Sequence, residues 1–182
     1  MMSKLEISKT ILEERVEKAN FRGDIKYLER IFIKEKLLDI LEITEEYQWN
    51  WLHRCNLGFF KKSPPRTINF YIRHGVPVNA QDCYGMTPLS KAMGVANAGA
   101  AIVLLNAGAD PNIPSKRNIT PLSQIGIMPN KLNVLRLMLQ KGGNVHYVRS
   151  EDSDESILES FRALAEYEPH YKPFVKLMEK YA

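Results

Sequence analysis

The sequence predicts an all-α fold built from repeated helix pairs, and two recurring motifs predict it. A helix-start motif, Met-Thr-Pro-Leu-Ser at 86–90, returns as Ile-Thr-Pro-Leu-Ser at 119–123, so that Thr87 and Thr120 lie 33 residues apart. A helix-stop motif that begins with glycine recurs at the same interval, at 75–79, 108–112 and, more loosely, 142–146. A fixed period of this length is typical of repeat architectures, in which each unit packs mainly against its neighbours.

Each part of the repeated unit has a physical reason. The threonine supplies an N-cap, and the proline that follows occupies the first helical turn, where its missing N–H costs nothing. An apolar helix through 101–105 then ends at Gly108, because glycine tolerates the left-handed backbone that follows a helix. Short polar hairpins are expected between these helices, at 76–86, 109–119 and 145–154.

These motifs resemble those of the ankyrin repeat family, whose units of about 33 residues each form a β-turn finger and two antiparallel helices. The match is strongest over 75–123, and Asn-Trp-Leu-His-Arg-Cys at 50–55 looks like a degenerate copy of the family's helix start. Ser90 and Ser123 stand where the family usually has a histidine that bonds between fingers, so that bond must be remade or lost there. The resemblance implies an all-α ankyrin repeat solenoid of about five helix-turn-helix repeats with short β-hairpin fingers.

The repeat period also divides the chain, which we expect to be a single ankyrin repeat domain over 1–182. Two amphipathic helices without the motif are expected at the C-terminal end, at 157–167 and 170–181, and 36–46 is expected to be helix or irregular chain. The expected units are a degenerate N-terminal capping repeat at 1–43, a second repeat at 44–83 with an insertion near 59–65, repeats at 84–116 and 117–150, and a C-terminal capping repeat at 151–182.

Charge is unevenly distributed along the chain. Residues 47–150 contain 12 Lys and Arg residues but only two carboxylates, Asp82 and Asp110, whereas both ends carry more acidic than basic residues. We interpret the two carboxylates as turn-forming residues. The central block predicts a partner with a negative surface, although a solvated face is the usual fate of such charges.

No pattern in the sequence indicates catalysis, a cofactor or a metal site, so we expect a non-enzymatic protein without cofactors. A phosphate-binding glycine motif is missing, and the four histidines are scattered. Cys55 and Cys83 are expected to be reduced and unlinked. The first residues lack the apolar core of a secretory signal, and the best apolar run is too short to span a bilayer, so a cytoplasmic protein without membrane contact is expected.

The resemblance also suggests which residues bind a partner. Arg54 and Lys91 stand at the helix position that faces the concave groove in the family, and Trp49 and Met86 stand just before the helix start. Trp49 is either an exposed binding anchor or a core residue. The expected partner-binding residues are Tyr47, Trp49, Arg54, Tyr84, Met86, Lys91, Lys116, Arg117 and Arg149.

The expected function is therefore that of a protein–protein interaction module, which binds an acidic protein partner on its concave and finger surface and is a monomer on its own. The chain resembles the small stand-alone ankyrin proteins of bacteria that act as dedicated inhibitors, including immunity proteins that neutralise a cognate toxin. Two alternatives are open. One is an adaptor or effector that binds host proteins, and the other is a nucleic-acid-binding protein that uses the central basic block, against which the single spacing of the basic residues argues.

Overall fold

The computed structural model describes residues 4–58, 60–128, 131–150 and 153–182. This part of the chain is mostly helical, with one two-stranded antiparallel ribbon, so the all-α expectation is confirmed at the level of a helical fold. The elements are α1 (Lys4–Arg22), α2 (Ile25–Glu29) with a π-helical turn (Arg30–Lys34), α3 (Trp51–Arg54), α4 (Pro65–Arg73), α5 (Pro88–Gly94), α6 (Ala98–Asn106), a 3₁₀ helix (Leu122–Ile127), α7 (Leu132–Gln140), β1 (Val148–Ser150), β2 (Ser153–Ser156), α8 (Ile157–Tyr167), a 3₁₀ turn (Pro169–Tyr171) and α9 (Lys172–Met178).

The predicted helix starts are capped as expected. The Thr87 hydroxyl accepts the Ser90 N–H at 3.1 Å, and the Thr120 hydroxyl accepts the Ser123 N–H at the same distance. After Thr120, however, the chain forms a 3₁₀ helix rather than an α-helix. Two local features explain the difference, because Gly126 disfavours a helix and the Ser123 hydroxyl donates to the Thr120 carbonyl, which competes with the backbone.

The predicted helix stops are also present, but two of the three predicted hairpins are not. Residues 76–86 and 109–119 contain turns without β-strands, because the backbone hydrogen bonds within them close only the tight turns at 82–86 and 115–119. The expected hairpin at 145–154 is partly confirmed by β1 and β2, and residues 151–152 lie outside the described residues.

Three loops, which we call the tip loops, lie next to one another and comprise residues 44–49, 81–86 and 115–119. The Cys83 N–H donates to the Tyr47 carbonyl at 3.0 Å, and the Lys116 N–H donates to the Tyr84 carbonyl at 2.9 Å. Gly85 has φ of +74°, and a Cβ at this position would lie 2.9 Å from the Lys116 nitrogen. Glycine is therefore needed where the second and third tip loops meet.

The helices pack in two rows. One row is formed by α2, α4, α6, α7 and α9, each of which contacts the next, and the other contains α3, α5 and the 3₁₀ helix at 122–127. Buried apolar side chains between the rows form one continuous cluster, which includes Trp51, Tyr71, Leu104 and Phe174. This arrangement places the tip loops at one edge of the molecule, joined to the starts of α3 and α5.

At the C-terminal end, α8 has the bounds that the sequence predicts. Its start is fixed by a capping box, in which the Ser156 hydroxyl accepts the Glu159 N–H and the Glu159 carboxylate accepts the Ser156 N–H. The second predicted helix differs, because it starts as a 3₁₀ turn at Pro169 and ends at Met178. Near the N-terminal end, residues 36–46 are irregular.

Candidate partner-binding surface

The Asp82 carboxylate organises the second tip loop. One of its oxygens, Oδ1, accepts the Tyr84 and Met86 N–H groups at 2.9 and 2.8 Å, which confirms Asp82 as a turn-forming residue. The other oxygen accepts the Trp49 indole N–H at 3.1 Å and lies 2.9 Å from the Lys91 ammonium. Burial opposes ionisation of Asp82, but the hydrogen bonds from Lys91, Met86 and Trp49 outweigh it and hold its pKa below the ordinary value.

Aromatic rings surround this ion pair. Tyr47 stacks on Trp49 with ring centroids 4.4 Å apart, and the Lys91 ammonium lies 5.3 Å from the Trp49 ring and 5.9 Å from the Tyr84 ring. Trp49 is half-buried, and its indole N–H donates to Asp82. It is therefore neither a fully exposed anchor nor a fully buried core residue. Among these three aromatic residues, Tyr84 is the most accessible, with 54% of its surface exposed.

His53 connects the degenerate helix-start motif at 50–55 to the second tip loop. Its Nδ1 lies 3.2 Å from the Asn50 backbone nitrogen and 2.8 Å from Asn50 Oδ1, and in the neutral ring Nε2 donates to the Met86 carbonyl at 3.0 Å. Burial lowers the pKa of His53 and favours this neutral form. Met86 itself is half-buried, and its described hydrogen bonds are made by its backbone N–H and carbonyl groups.

Ser90 and Ser123, the two residues that replace this histidine in the later motifs, make no equivalent bond among the described residues. The Ser90 hydroxyl lies 3.3 Å from the Thr87 hydroxyl, and the Ser123 hydroxyl donates to the Thr120 carbonyl, so both remain within their own turns.

The expectation that Arg54 and Lys91 are open groove charges is wrong. Arg54 is only 7% exposed, its guanidinium bonds Glu13 and Glu17 of α1 at 2.9 and 3.1 Å, and it lies 4.0 Å from the Trp51 ring centroid. Lys91 is held by Asp82. The Arg54 charge is therefore neutralised by carboxylates of α1, outside the basic block, and the Lys91 charge by Asp82, within it. Both pairs are expected, since a buried cation without a partner would be costly.

The cations of the third tip loop and of the ribbon are exposed as expected. Lys116, whose N–H donates to the Tyr84 carbonyl, and its neighbour Arg117 are both exposed, and Arg149 is exposed on β1. Within the described residues, none of these three side chains forms an ion pair. We call Tyr47, Tyr84, Lys116 and Arg117 the tip row, because backbone hydrogen bonds between successive tip loops bring them together.

Both cysteines are free thiols. Cys55 is fully buried, and burial raises its pKa to about 12. Asp110 accepts the Asn112 N–H at 2.8 Å and acts as a turn residue. No group of three or more His, Cys, Asp or Glu side chains in the described ranges is arranged to hold a metal ion.

A comparison of the chain with protein-family models and with curated proteins finds no match. Among the helices described, none combines the length and the apolar character required to cross a bilayer. What the fold and the surface define is a mostly helical protein that carries an aromatic and cationic surface on adjacent loops.

Proposed function

We propose that the chain is an ankyrin-type stack of about five helix pairs that acts as a non-enzymatic protein-binding module. The repeated contacts support the proposal. The Asn79 amide donates to the Gly108 carbonyl and accepts the Asp110 N–H, and the Asn112 amide makes the same two bonds to Gly142 and Asn144. The 33-residue period of the sequence therefore corresponds to a repeated connection between neighbouring turns.

The partner binds on the tip row, and the observation that carries this proposal is the juxtaposition of exposed aromatic and cationic side chains there. Tyrosine and arginine are among the residues that contribute most to protein interfaces. The surface is also held in place before binding, because Asp82 fixes the second tip loop and backbone bonds join it to the loops on either side. A preorganised surface loses little conformational entropy on association.

The same surface favours an acidic partner. Lys116, Arg117 and Arg149 are exposed, and the described residues provide no carboxylate partner for them. Arg54 and Lys91 contribute less than the sequence predicted, because their charges are neutralised internally. Complementary charge speeds association, and arginine can form paired hydrogen bonds with a carboxylate.

A narrower proposal is that the module is a dedicated inhibitor, including an immunity protein that neutralises a cognate toxin. It rests on the similarity to small bacterial ankyrin proteins and on the charge of the tip row. An adaptor or an effector that binds host proteins would use the same surface. Measuring the captured partner's own activity with and without the chain separates these roles, because an inhibitor abolishes that activity at one-to-one stoichiometry.

The experiment is affinity capture from lysate, with and without nuclease treatment, on three immobilised proteins: the wild type, the Tyr84→Ala/Arg117→Glu variant and the Arg136→Glu variant. Arg136 is an exposed residue of α7 outside the tip loops, so it is a control for the loss of surface charge. A protein retained by the wild type and the control, but lost on the double variant, supports the proposal. Equal capture on all three proteins, or capture that disappears after nuclease treatment, contradicts it.

A further inference from the structure

A pocket of about 430 Å³ at the end of α1 is lined almost entirely by cationic side chains. Lys18, Phe21 and Arg22 of α1 form one wall, and Lys61 and Lys62 of the loop before α4 form the other. These two groups are about 40 positions apart in the sequence, so the pocket is created by the fold. It shares no residue with the tip row.

The walls of the pocket are held in place by bonds to backbone carbonyls. Arg66, in the first turn of α4, donates to the carbonyls of Arg22 and Gly23 at 2.6 and 2.8 Å and so joins α4 to the end of α1. The Lys62 ammonium donates to the Ala96 carbonyl at 2.9 Å and keeps two further N–H donors. These bonds hold the backbone on both sides of the pocket, so the fold brings four cationic residues to the same site.

No carboxylate lines this pocket, and the described ion pairs include none of its four cations. The four pocket cations are exposed, whereas Arg54 and Lys91, which are largely buried, are both paired with carboxylates. Basic residues at the C-terminal end of a helix interact favourably with its dipole, which is a structural reason for Lys18 and Arg22. That reason does not apply to Lys61 and Lys62, which precede a helix.

We propose that this pocket binds a ligand that carries two or more phosphate groups. Each phosphate monoester has a charge of roughly −1.5 to −2 near neutral pH, so two of them would balance four cations. Arginine and lysine donors match phosphate oxygens, and the pocket volume lies within the usual range for small-molecule sites. Phe21 supplies an apolar wall for the organic part of the ligand.

The phosphate groups could belong to a free metabolite or to a lipid headgroup. Phe60 precedes the two lysines of the loop and is fully exposed, at 102% of its reference surface. An exposed aromatic side chain beside clustered cations is suited to insertion between lipid headgroups. The two sources share the same pocket chemistry. They differ in Phe60, which is needed for a lipid surface and not for a free metabolite.

The first test is calorimetric titration of the full chain with inorganic tripolyphosphate, with inorganic phosphate as the singly phosphorylated comparison. The test variant is Lys18→Gln/Lys61→Gln, and the matched control is Lys131→Gln/Lys141→Gln, which removes the same charge from exposed residues at the two ends of α7. We expect tripolyphosphate to bind more tightly than phosphate, and the test variant to bind it roughly tenfold more weakly or worse. The control variant should retain wild-type affinity, and circular dichroism should show that both variants are folded.

Absence of tripolyphosphate binding, or equal weakening in the test and control variants, would overturn the proposal. The second test uses phosphatidylcholine vesicles with and without about 5% phosphatidylinositol 4,5-bisphosphate at physiological ionic strength. Binding to the phosphoinositide vesicles that is lost in both Phe60→Ala and the double lysine variant assigns the lipid source. Tripolyphosphate binding without vesicle binding assigns a free ligand and supports the pocket equally.

Discussion

At the scale of the residue, Asp82 connects more of the candidate surface than any other side chain described. Its two oxygens receive hydrogen bonds from the backbone of its own loop, from the indole of the first tip loop and from the ammonium of α5. Its position could have been suspected from the sequence, because Asp82 is one of only two carboxylates among 104 residues. Its partners could not have been predicted from the sequence, because one of them, Trp49, lies 33 positions earlier.

Replacement of Asp82 tests this role. We expect Asp82→Asn to reduce the free energy of unfolding at pH 7 by about 1–3 kcal/mol, because Lys91 is left largely buried without its counter-ion. Because the folded-state pKa lies below the unfolded value of about 3.9, the stabilisation is complete above that value and is lost as the pH falls through the folded-state pKa. Urea unfolding of both proteins at pH 7 and pH 3 measures the difference, which should shrink at pH 3.

Asp110→Asn is the matched control for this substitution. Asp110 also accepts a turn hydrogen bond, but the described ion pairs do not include it, and asparagine is tolerated in turns. Its effect should stay within about 0.5 kcal/mol at both pH values. A loss at Asp110 as large as that at Asp82 would show that the charge network has no special role.

His53 gives a second prediction at this scale, which concerns mild acid. Burial lowers its folded-state pKa below the unfolded value of about 6.5, so the unfolded chain takes up a proton first as the pH falls. The stability that comes from neutral His53 is therefore complete above the unfolded-state pKa and is lost as the pH falls through the folded-state pKa. Between pH 7 and pH 5, the unfolding free energy of the wild type should fall more steeply than that of His53→Gln.

The control for this pH dependence is His146→Gln, since His146 is exposed. This variant should follow the wild-type curve. Parallel curves for the wild type and His53→Gln over the same pH range would mean that His53 is not held neutral by the fold.

At the scale of the element, Arg54 is one of several groups that attach α1 to the rest of the molecule, together with buried side chains of this helix and hydrogen bonds from α4 to its last residues. The guanidinium lies over Trp51 and bonds two carboxylates that are one helical turn apart on α1. This polar contact helps to hold a helix with a charged surface against α3. The Lys9–Glu42 ion pair connects α1 to the irregular segment at 36–46.

We expect Arg54→Ala to lower the free energy of unfolding by about 2–3 kcal/mol. The effect combines the lost stacking on Trp51 with two unpaired carboxylates, and it is limited because Glu13 and Glu17 are partly exposed and can be rehydrated. Hydrogen exchange should accelerate across α1 before it accelerates in α6. Arg15→Ala, at an exposed position of the same helix, should leave exchange unchanged. Equal exchange in the two variants would show that Arg54 does not help to attach α1.

The elements also show what the sequence could and could not predict. Helix starts were predictable because capping is local, as Thr87 and Thr120 demonstrate, and helix stops were predictable because they need glycine. The 3₁₀ helix at 122–127 was missed, since a single glycine and a serine bond decide between two similar helices. The burial of Arg54 was missed because its partners lie 37 and 41 residues away, where a one-dimensional charge count cannot pair them.

At the scale of the whole molecule, the fold redistributes the charge that the sequence places in one central block. Two of the twelve cations of that block are paired with carboxylates, and Lys61 and Lys62 join two cations of α1 in a separate pocket. Exposed cations remain on the third tip loop and on the ribbon. The expected basic groove is thereby replaced by two smaller cationic surfaces, for which we propose different ligands.

The most direct test of the account is site-specific photo-crosslinking with the captured partner. A photoreactive phenylalanine analogue is placed at Tyr84 in one protein and at Arg136 in another, because both positions are exposed and neither side chain is part of the core. A protein partner that docks on the tip row should crosslink efficiently from position 84 and not from position 136. Crosslinking from position 136 alone would contradict the assignment of the tip row as the binding surface.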